Sequence, residues 1–380
     1  MAMTPLPQAD TAASASRFID LAVEVLRVQL PPAWSVVLDS EPAQLGERWQ
    51  PDAIINIKAP DNRQPARLIV EYKRNVTPRV AADTARQLSS LLNQDPEATG
   101  LVVAPWGSRR TREVFRNAGI GFIDPTGNID LVLDTPALVV KVEGAGENPL
   151  GKPPASPSLR GPKAWALMKT LIEVSPPYGV RELAGAVGTD PGYTSRVIKA
   201  LEEERLVFRQ RRGPITEIDW PALLSQFRTS YSLLDANKTS TWIARGAVRG
   251  LPKKLAGSRL QSRWAITGSL ASNLIAPVAA PAMAIVYSDS PDGVAETLEL
   301  LPADSGANVI LAQPYDDAAY ARRWKLDGVG YVSVVQLAAD CLTGVGRMPA
   351  EGKALVDWMR SNETRWRAPD FEASPNPLGQ

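Results

Sequence analysis

The chain has 380 residues, 44% of them hydrophobic and 22% charged, with a net charge of +1; this is the composition of a globular protein of two or three domains, and three are expected. It contains no histidine and a single cysteine, Cys341, which excludes Ser-His-Asp triads, Cys-His nucleophiles, His-ligated zinc and any intrachain disulfide. Chemistry must then rest on carboxylates, lysine, hydroxyls and hard cations such as Mg²⁺, and any nucleic-acid attraction must come from a local basic patch rather than from the whole chain.

One cysteine suits a reducing cytoplasm, and the opening residues 1–16 carry neither a basic start nor an apolar stretch, so no signal peptide is expected. The longest apolar run, 275–287, is too short and too rich in proline to span a bilayer, and no membrane partner is expected.

In chain order, the pattern up to residue 142 is α/β. Helical spacing covers 15–30, short apolar strands cover 35–40, 52–59 and 67–74, a helix covers 79–93, a strand 100–105 and a helix 108–119. Asp124, Pro125, Gly127 and Asn128 then mark a turn between two short strands within 121–133. A mixed sheet flanked by helices follows from this order.

The third strand ends in Glu71-Tyr72-Lys73. Side chains alternate on a strand, so Ile69, Glu71 and Lys73 share one face and Leu68, Val70 and Tyr72 the other. Such a charged pair is either the solvated tip of a strand or a site. The preceding strand is introduced by Pro51-Asp52, and the order Pro-Asp, strand, Glu-x-Lys resembles the PD-(D/E)XK nuclease superfamily. The resemblance implies that Asp52 and Glu71 hold Mg²⁺ and that Lys73 orients the attacking water or stabilises developing charge. In the following helix Val80, Thr84, Leu88 and Leu91 form an apolar stripe with Gln87 on its margin, where an inward amide would suit a phosphate or a metal-bound water. Glu24, on the polar face of the first helix with Arg17, Asp20 and Arg27, is explained by its charged neighbours.

A Pro/Gly-rich linker at 143–162 separates this domain from a second one at 163–235. There, three short helices bury Leu167 and Leu171, Leu183 and Val187, and Val197 and Leu201, with Asp190 capping the third at Pro191. Ser195, Arg196 and Lys199 lie opposite the apolar stripe of that third helix, and the hairpin after it carries Arg209, Arg211 and Arg212. This segment resembles bacterial winged helix-turn-helix regulators. The likeness implies a recognition helix in the major groove of double-stranded DNA and wing arginines on phosphates; a winged helix used for protein contact is the bland alternative.

From Lys238 to Arg263 seven cations occur with no acidic residue, a density that attracts nucleic acid or an acidic partner. An α/β domain at 236–367 follows, with strands at 263–267, 282–289, 308–314 and 330–336, a helix at 351–361, and a tail at 368–380 that reads as disorder. Gly268-Ser269 after its first strand resembles a nucleotidyltransferase turn, but Met283, Ala284 and Ile285 stand where that chemistry needs paired acids, so this domain is expected to be degenerate and inactive.

Taken with the winged helix, the segments 119–133, 267–271, 308–316 and 332–340 resemble AbiEi-type antitoxin regulators of type IV toxin–antitoxin systems. The resemblance implies a DNA-binding repressor, commonly dimeric, encoded beside a toxin. The competing expectations are a Mg²⁺-dependent DNA endonuclease targeted by the winged helix, and a defence or mobile-element adaptor that binds a partner protein. Without a working nuclease site no cofactor is expected.

Overall fold

The computed structural model describes residues 11–39, 50–60, 64–93, 95–149, 151, 158–211 and 213–379, and it divides into two compact units, Met1–Ser156 with Glu203–Arg205, and Pro157–Glu202 with Leu206–Gln380. Both are α/β with mixed sheets. Among the described residues, no helix is long and apolar enough to cross a membrane.

The first unit runs α1 (Thr11–Gln29), β1 (Ser35–Asp39), β2 (Ala53–Lys58), β3 (Ala66–Tyr72), α2 (Pro78–Leu92), β4 (Ala98–Val103), α3 (Arg109–Asn117), β5 (Gly121–Ile123), β6 (Ile129–Leu133) and β7 (Leu138–Val142). The seven strands pair in sequence order. Hairpin connections make β1–β2–β3 and β5–β6–β7 antiparallel, whereas α2 and α3 act as the crossovers that let β3, β4 and β5 run parallel. Strand alternation then divides the apolar side chains between two layers. Ile55, Ile57, Leu68, Val70 and Leu101 pack under Ile19, Val23 and Leu26 of α1 on one face. Val102, Ala104 and Phe122 pack under Ala81, Ala85, Leu88 and Phe115 on the other. β7 has no counterpart in the sequence reading; it is an edge strand with Val139 71% exposed, so it lacks the buried pattern that betrays inner strands.

The second unit begins with α4 (Pro162–Glu173), α5 (Val180–Val187), α6 (Pro191–Glu203), the hairpin β8 (Val207–Arg209) and β9 (Ile215–Ile218), and α7 (Trp220–Arg228). A bridge from Tyr178 to Ile215 adds a third short strand segment between α4 and α5. The chain continues through α8 (Leu233–Ala236), β10 (Lys238–Ile243), α9 (Leu251–Ala256), β11 (Trp264–Thr267), α10 (Ser269–Ile275), β12 (Ala284–Ser288), α11 (Pro291–Thr297), β13 (Leu301–Pro302), β14 (Val309–Gln313), β15 (Trp324–Leu326), β16 (Val329–Tyr331), α12 (Val334–Thr343), α13 (Met348–Ser361) and α14 (Glu363–Trp366). Its sheet has the order β13-β10-β14-β12-β11-β16-β15, with β12–β14 and β11–β16 parallel.

Three features differ from the sequence reading. The strand expected at 330–336 stops at Tyr331, because the Ser333 hydroxyl accepts from Gln336 N and starts α12. The tail expected to be disordered is packed: Ala368 bridges to Val174, the Phe371 ring meets Tyr178 at 4.8 Å, and Leu378 lies against the core. The segments 163–235 and 236–367 are not two cores, since one apolar cluster runs from Leu167 and Leu171 through Phe227 to Val286, Leu311 and Leu337. Charge reinforces that junction. Lys169 and Glu173 on α4, 1% and 2% exposed, pair at 2.8 Å, and the Arg322 guanidinium reaches the other Glu173 oxygen at 3.2 Å. A buried ion pair adds little net stability, but its geometry fixes one register between α4 and the Arg322 loop.

Candidate functional site

Asp52 and Glu71 meet because of strand register. The β2–β3 ladder pairs Ala53 with Val70, which sets Asp52 opposite Glu71 one step further on the same face. Asp52 N donates to Val70 O at 3.1 Å, and one Asp52 oxygen accepts from Tyr72 N at 2.7 Å, so the carboxylate is pinned against the end of β3. Tyr72 itself turns to the opposite face and stacks on Phe18 of α1, as alternation requires. Lys73 Nζ donates to Glu71 Oε1 at 2.5 Å, with the two side chains 27% and 13% exposed. Lys73 and Glu71 are thus in direct contact, and Asp52 stands across the strand pair from Glu71.

Burial pushes the Glu71 carboxyl up from its ordinary value; the Lys73 ammonium opposes the shift and the Asp52 carboxylate adds to it. Two carboxylates set across from each other at the ends of paired strands are a cation-binding arrangement. Among the described residues no group of three metal-ligating side chains occurs. A pair nevertheless fits Mg²⁺, which commonly takes one or two protein carboxylates and completes its shell with water and phosphate oxygens.

Gln87 is not part of this constellation. It lies on the exposed side of α2, whose buried positions are Pro78, Ala81, Thr84, Ala85 and Leu88. Small Ala81 and Ala85 let the sheet approach, which rotates the buried stripe away from Val80 and Leu91 by about 50° at 100° per residue and leaves Gln87 in solvent. Glu24 pairs with Arg27 at 2.7 Å, as its neighbours suggested.

The ends of β3, β4 and β5 lie side by side, with Lys73 N donating to Val103 O and Ala104 N to Ile123 O. The Asp124 turn closes this same edge. Asp124 is fully buried and accepts from Gly107 N, Thr126 N, Thr126 Oγ1, Asn128 N and Asn128 Nδ2. Asn128 in turn accepts from Gly144 N and donates to Ala145 O, to which Trp106 Nε1 also donates. The sequence marked a turn here but not that one carboxylate ties together the chain around residues 107, 126 and 128, with the Asn128 amide carrying the tie on to Gly144.

In the second unit, α6 buries Thr194, Val197, Ile198 and Leu201 and exposes Ser195, Arg196 and Lys199. Asp190 caps it, accepting from Tyr193 N at 2.8 Å. Among the described residues, the side chains of Ser195, Arg196, Lys199 and Arg211 make no hydrogen bond or ion pair. Tyr193, half-buried one turn before Arg196, stands beside this face and was not singled out by sequence. Arg209 differs from expectation: its guanidinium is held by Glu202 at 3.2 Å, which braces the wing against α6 rather than leaving a cation for phosphate. Arg212 lies outside the described residues.

Gly268, at φ 66°, makes the turn after β11, and the Ser269 hydroxyl donates to the buried Glu351 carboxylate at 2.6 Å. A carboxylate thus occupies the hydroxyl that a nucleotide phosphate would need. Of the basic run, Arg263 is committed to Asp289 and Asp317 at 2.7 and 2.6 Å. No protein-family model matches the chain, and no curated protein matches it.

Proposed function

We propose that the protein is a sequence-specific regulator that binds double-stranded DNA through α6 and the β8–β9 wing, of the AbiEi antitoxin type, with a toxin gene product as the other member of its system. The observation that carries this reading is the exposed face of α6. A helix whose opposite side is buried presents Ser195, Arg196 and Lys199 with their hydrogen-bonding groups unused, and the wing that follows carries the exposed Arg211. Arginine and serine at such positions suit base edges, while lysine and wing arginines suit phosphates. A homodimer on a palindromic site is the assembly this mode favours.

Replacing Arg196 with alanine is expected to weaken a selected site by about 1–3 kcal/mol and to relax its sequence preference. Replacing Lys199 and Arg211 is expected to weaken all duplexes alike and to flatten the dependence of affinity on salt. Anisotropy titrations over a salt series distinguish the two. Unchanged duplex affinity in the triple variant would remove the DNA-binding reading.

The convergence of Asp52, Glu71 and Lys73 favours a second reading, a PD-(D/E)XK-type DNA endonuclease in the first unit. Asp52 and Glu71 would hold the cation, which supplies polarisation of the scissile phosphate and acidification of a water. Lys73 would release Glu71 and turn its ammonium to the developing charge. Mg²⁺ or Mn²⁺ is then expected to raise the thermal midpoint, and Glu71→Gln to abolish both that rise and any nicking of plasmid DNA. A metal-dependent rise without nicking would leave a cation-binding scaffold without cleavage; no rise would leave Glu71 and Lys73 as the polar end of a strand.

A further inference from the structure

We infer that the face of the second unit formed by α9, the α10 end and the β15–β16 hairpin is a docking surface for an acidic, amphipathic segment of a partner protein. A cleft of about 350 Å³ opens there. Leu270, Leu274, Pro281 and Tyr331 supply apolar walls, and Arg249 and Lys253 stand among them. The apolar surface does not stop at the cleft. Leu274 is 36% and Val278 51% exposed, and Pro277, Ala279, Ala280 and Ala282 around them are exposed as well. From Ile275 to Ile285 the chain offers no charged or hydrogen-bonding side chain at all.

Each part of this surface is costly to leave bare. A contiguous apolar patch of this kind on a folded protein marks an interaction site more often than a chance exposure. The two cations that line it are also uncommitted, because among the described residues Arg249 and Lys253 form no ion pair; of the seven-cation run, Arg263 alone has its acids. The one carboxylate at the cleft, Asp327, sits at the tip of the β15–β16 turn with φ 49°.

The chemistry of the occupant follows from that combination. Free cations beside the cleft call for negative charge. An apolar floor that continues as an exposed Pro/Ala/Val loop calls for aliphatic or aromatic anchors, which a phosphate backbone does not offer. A segment with Leu or Phe on one helical face and Asp or Glu on the other satisfies both. Nucleic acid would gain the charge pairing but leave the loop unburied.

The test uses the full chain and a fluorescent helical peptide carrying Leu at i, i+3, i+4 and i+7 with Glu elsewhere, against its Lys-for-Glu counterpart. The acidic peptide is expected to bind and the basic one not. Val278→Asp, at an exposed position that leaves the core untouched, and the pair Arg249→Glu with Lys253→Glu are each expected to weaken binding by about tenfold or more, with an unchanged thermal midpoint. Equal binding of the two peptides, or of wild type and variants, overturns the proposal. So does a loss of duplex-DNA affinity in the charge-reversal pair with peptide binding intact, since that outcome assigns the cations to nucleic acid.

Discussion

Asp124→Ala is expected to lower the stability of the first unit by about 4 kcal/mol, and its thermal midpoint by roughly 10 °C, because five donors lose one buried acceptor in a single step. The donors do not all have somewhere else to turn. Gly107 N and Asn128 N are backbone groups fixed by the start of α3 and by β6, and with the carboxylate gone they stay buried without an acceptor. The cluster is also tight enough to resist collapse. A Cβ on Gly144 would stand 2.3 Å from Thr126 O and 2.6 Å from Gly127 C, both backbone atoms, so Gly144→Ala is expected to disturb the same turn from the other side. Hydrogen exchange by mass spectrometry reads the result directly: peptides covering 105–112, 124–130 and 143–147 should lose protection together in both variants. Loss confined to 124–130 would mean that the carboxylate organises its own turn only.

The consequence reaches the candidate site through the sheet. Asp124 follows β5, and two strands away Lys73 follows β3 at the same level of the sheet, a separation of about 10 Å at ordinary strand spacing. Lys73 N is held by Val103 O, and Ala104 N by Ile123 O, so a turn that loosens β5 loosens the backbone that positions Lys73. Ligands of parallel strands gather at their carboxyl ends, which is where this turn supplies rigidity.

The legible parts of this chain were those in which one local rule decides the outcome. Strand alternation alone put Glu71 with Lys73 and Tyr72 behind them, and Pro51-Asp52 before a second strand gave the cross-strand partner. Likewise, helical spacing and Asp190 fixed which face of α6 is exposed. Where several elements compete, the sequence says less. Val332, Val334 and Val335 are β-branched and suit a strand, but the Ser333 cap and burial in the core make this the start of α12. Gln87 was misplaced because two alanines, not the larger Val80 and Leu91, face the sheet. Arg209 read as one of three equal wing cations, and only the fold reveals Glu202 across from it. Least visible was the polar cluster around Asp340, where Gln336 alone is near in sequence, one turn earlier on α12, while Thr267 comes from β11, Tyr287 from β12 and Tyr231 from the loop after α7.

Asp340 makes the stability of the second unit depend on pH in an unusual direction for a carboxylate. It is fully buried on α12, and its Oδ1 accepts from Tyr231 OH at 2.6 Å, Tyr287 OH at 3.0 Å and Gln336 Nε2 at 2.9 Å, while Oδ2 accepts from Thr267 Oγ1 at 2.6 Å. Burial pushes its carboxyl up to about 6, and the hydrogen bonds from Thr267, Tyr231, Gln336 and Tyr287 hold it from rising further. In the unfolded chain the same group titrates near the ordinary value of about 4. Between those two values the folded protein binds the proton more tightly than the unfolded one, so stability is greatest at the acid end of the window and falls as pH rises toward 6, with no further change above it. A shift of about two pH units corresponds to about 3 kcal/mol. Asp340→Asn keeps an acceptor for the tyrosines and cannot ionise, so it should lack this slope. Acid titration of other carboxylates affects both proteins equally, and the informative quantity is the difference in thermal midpoint between wild type and variant. That difference is expected to move toward the wild type by several degrees between pH 7 and pH 4.5, and a difference that stays constant would mean that Asp340 does not change charge there.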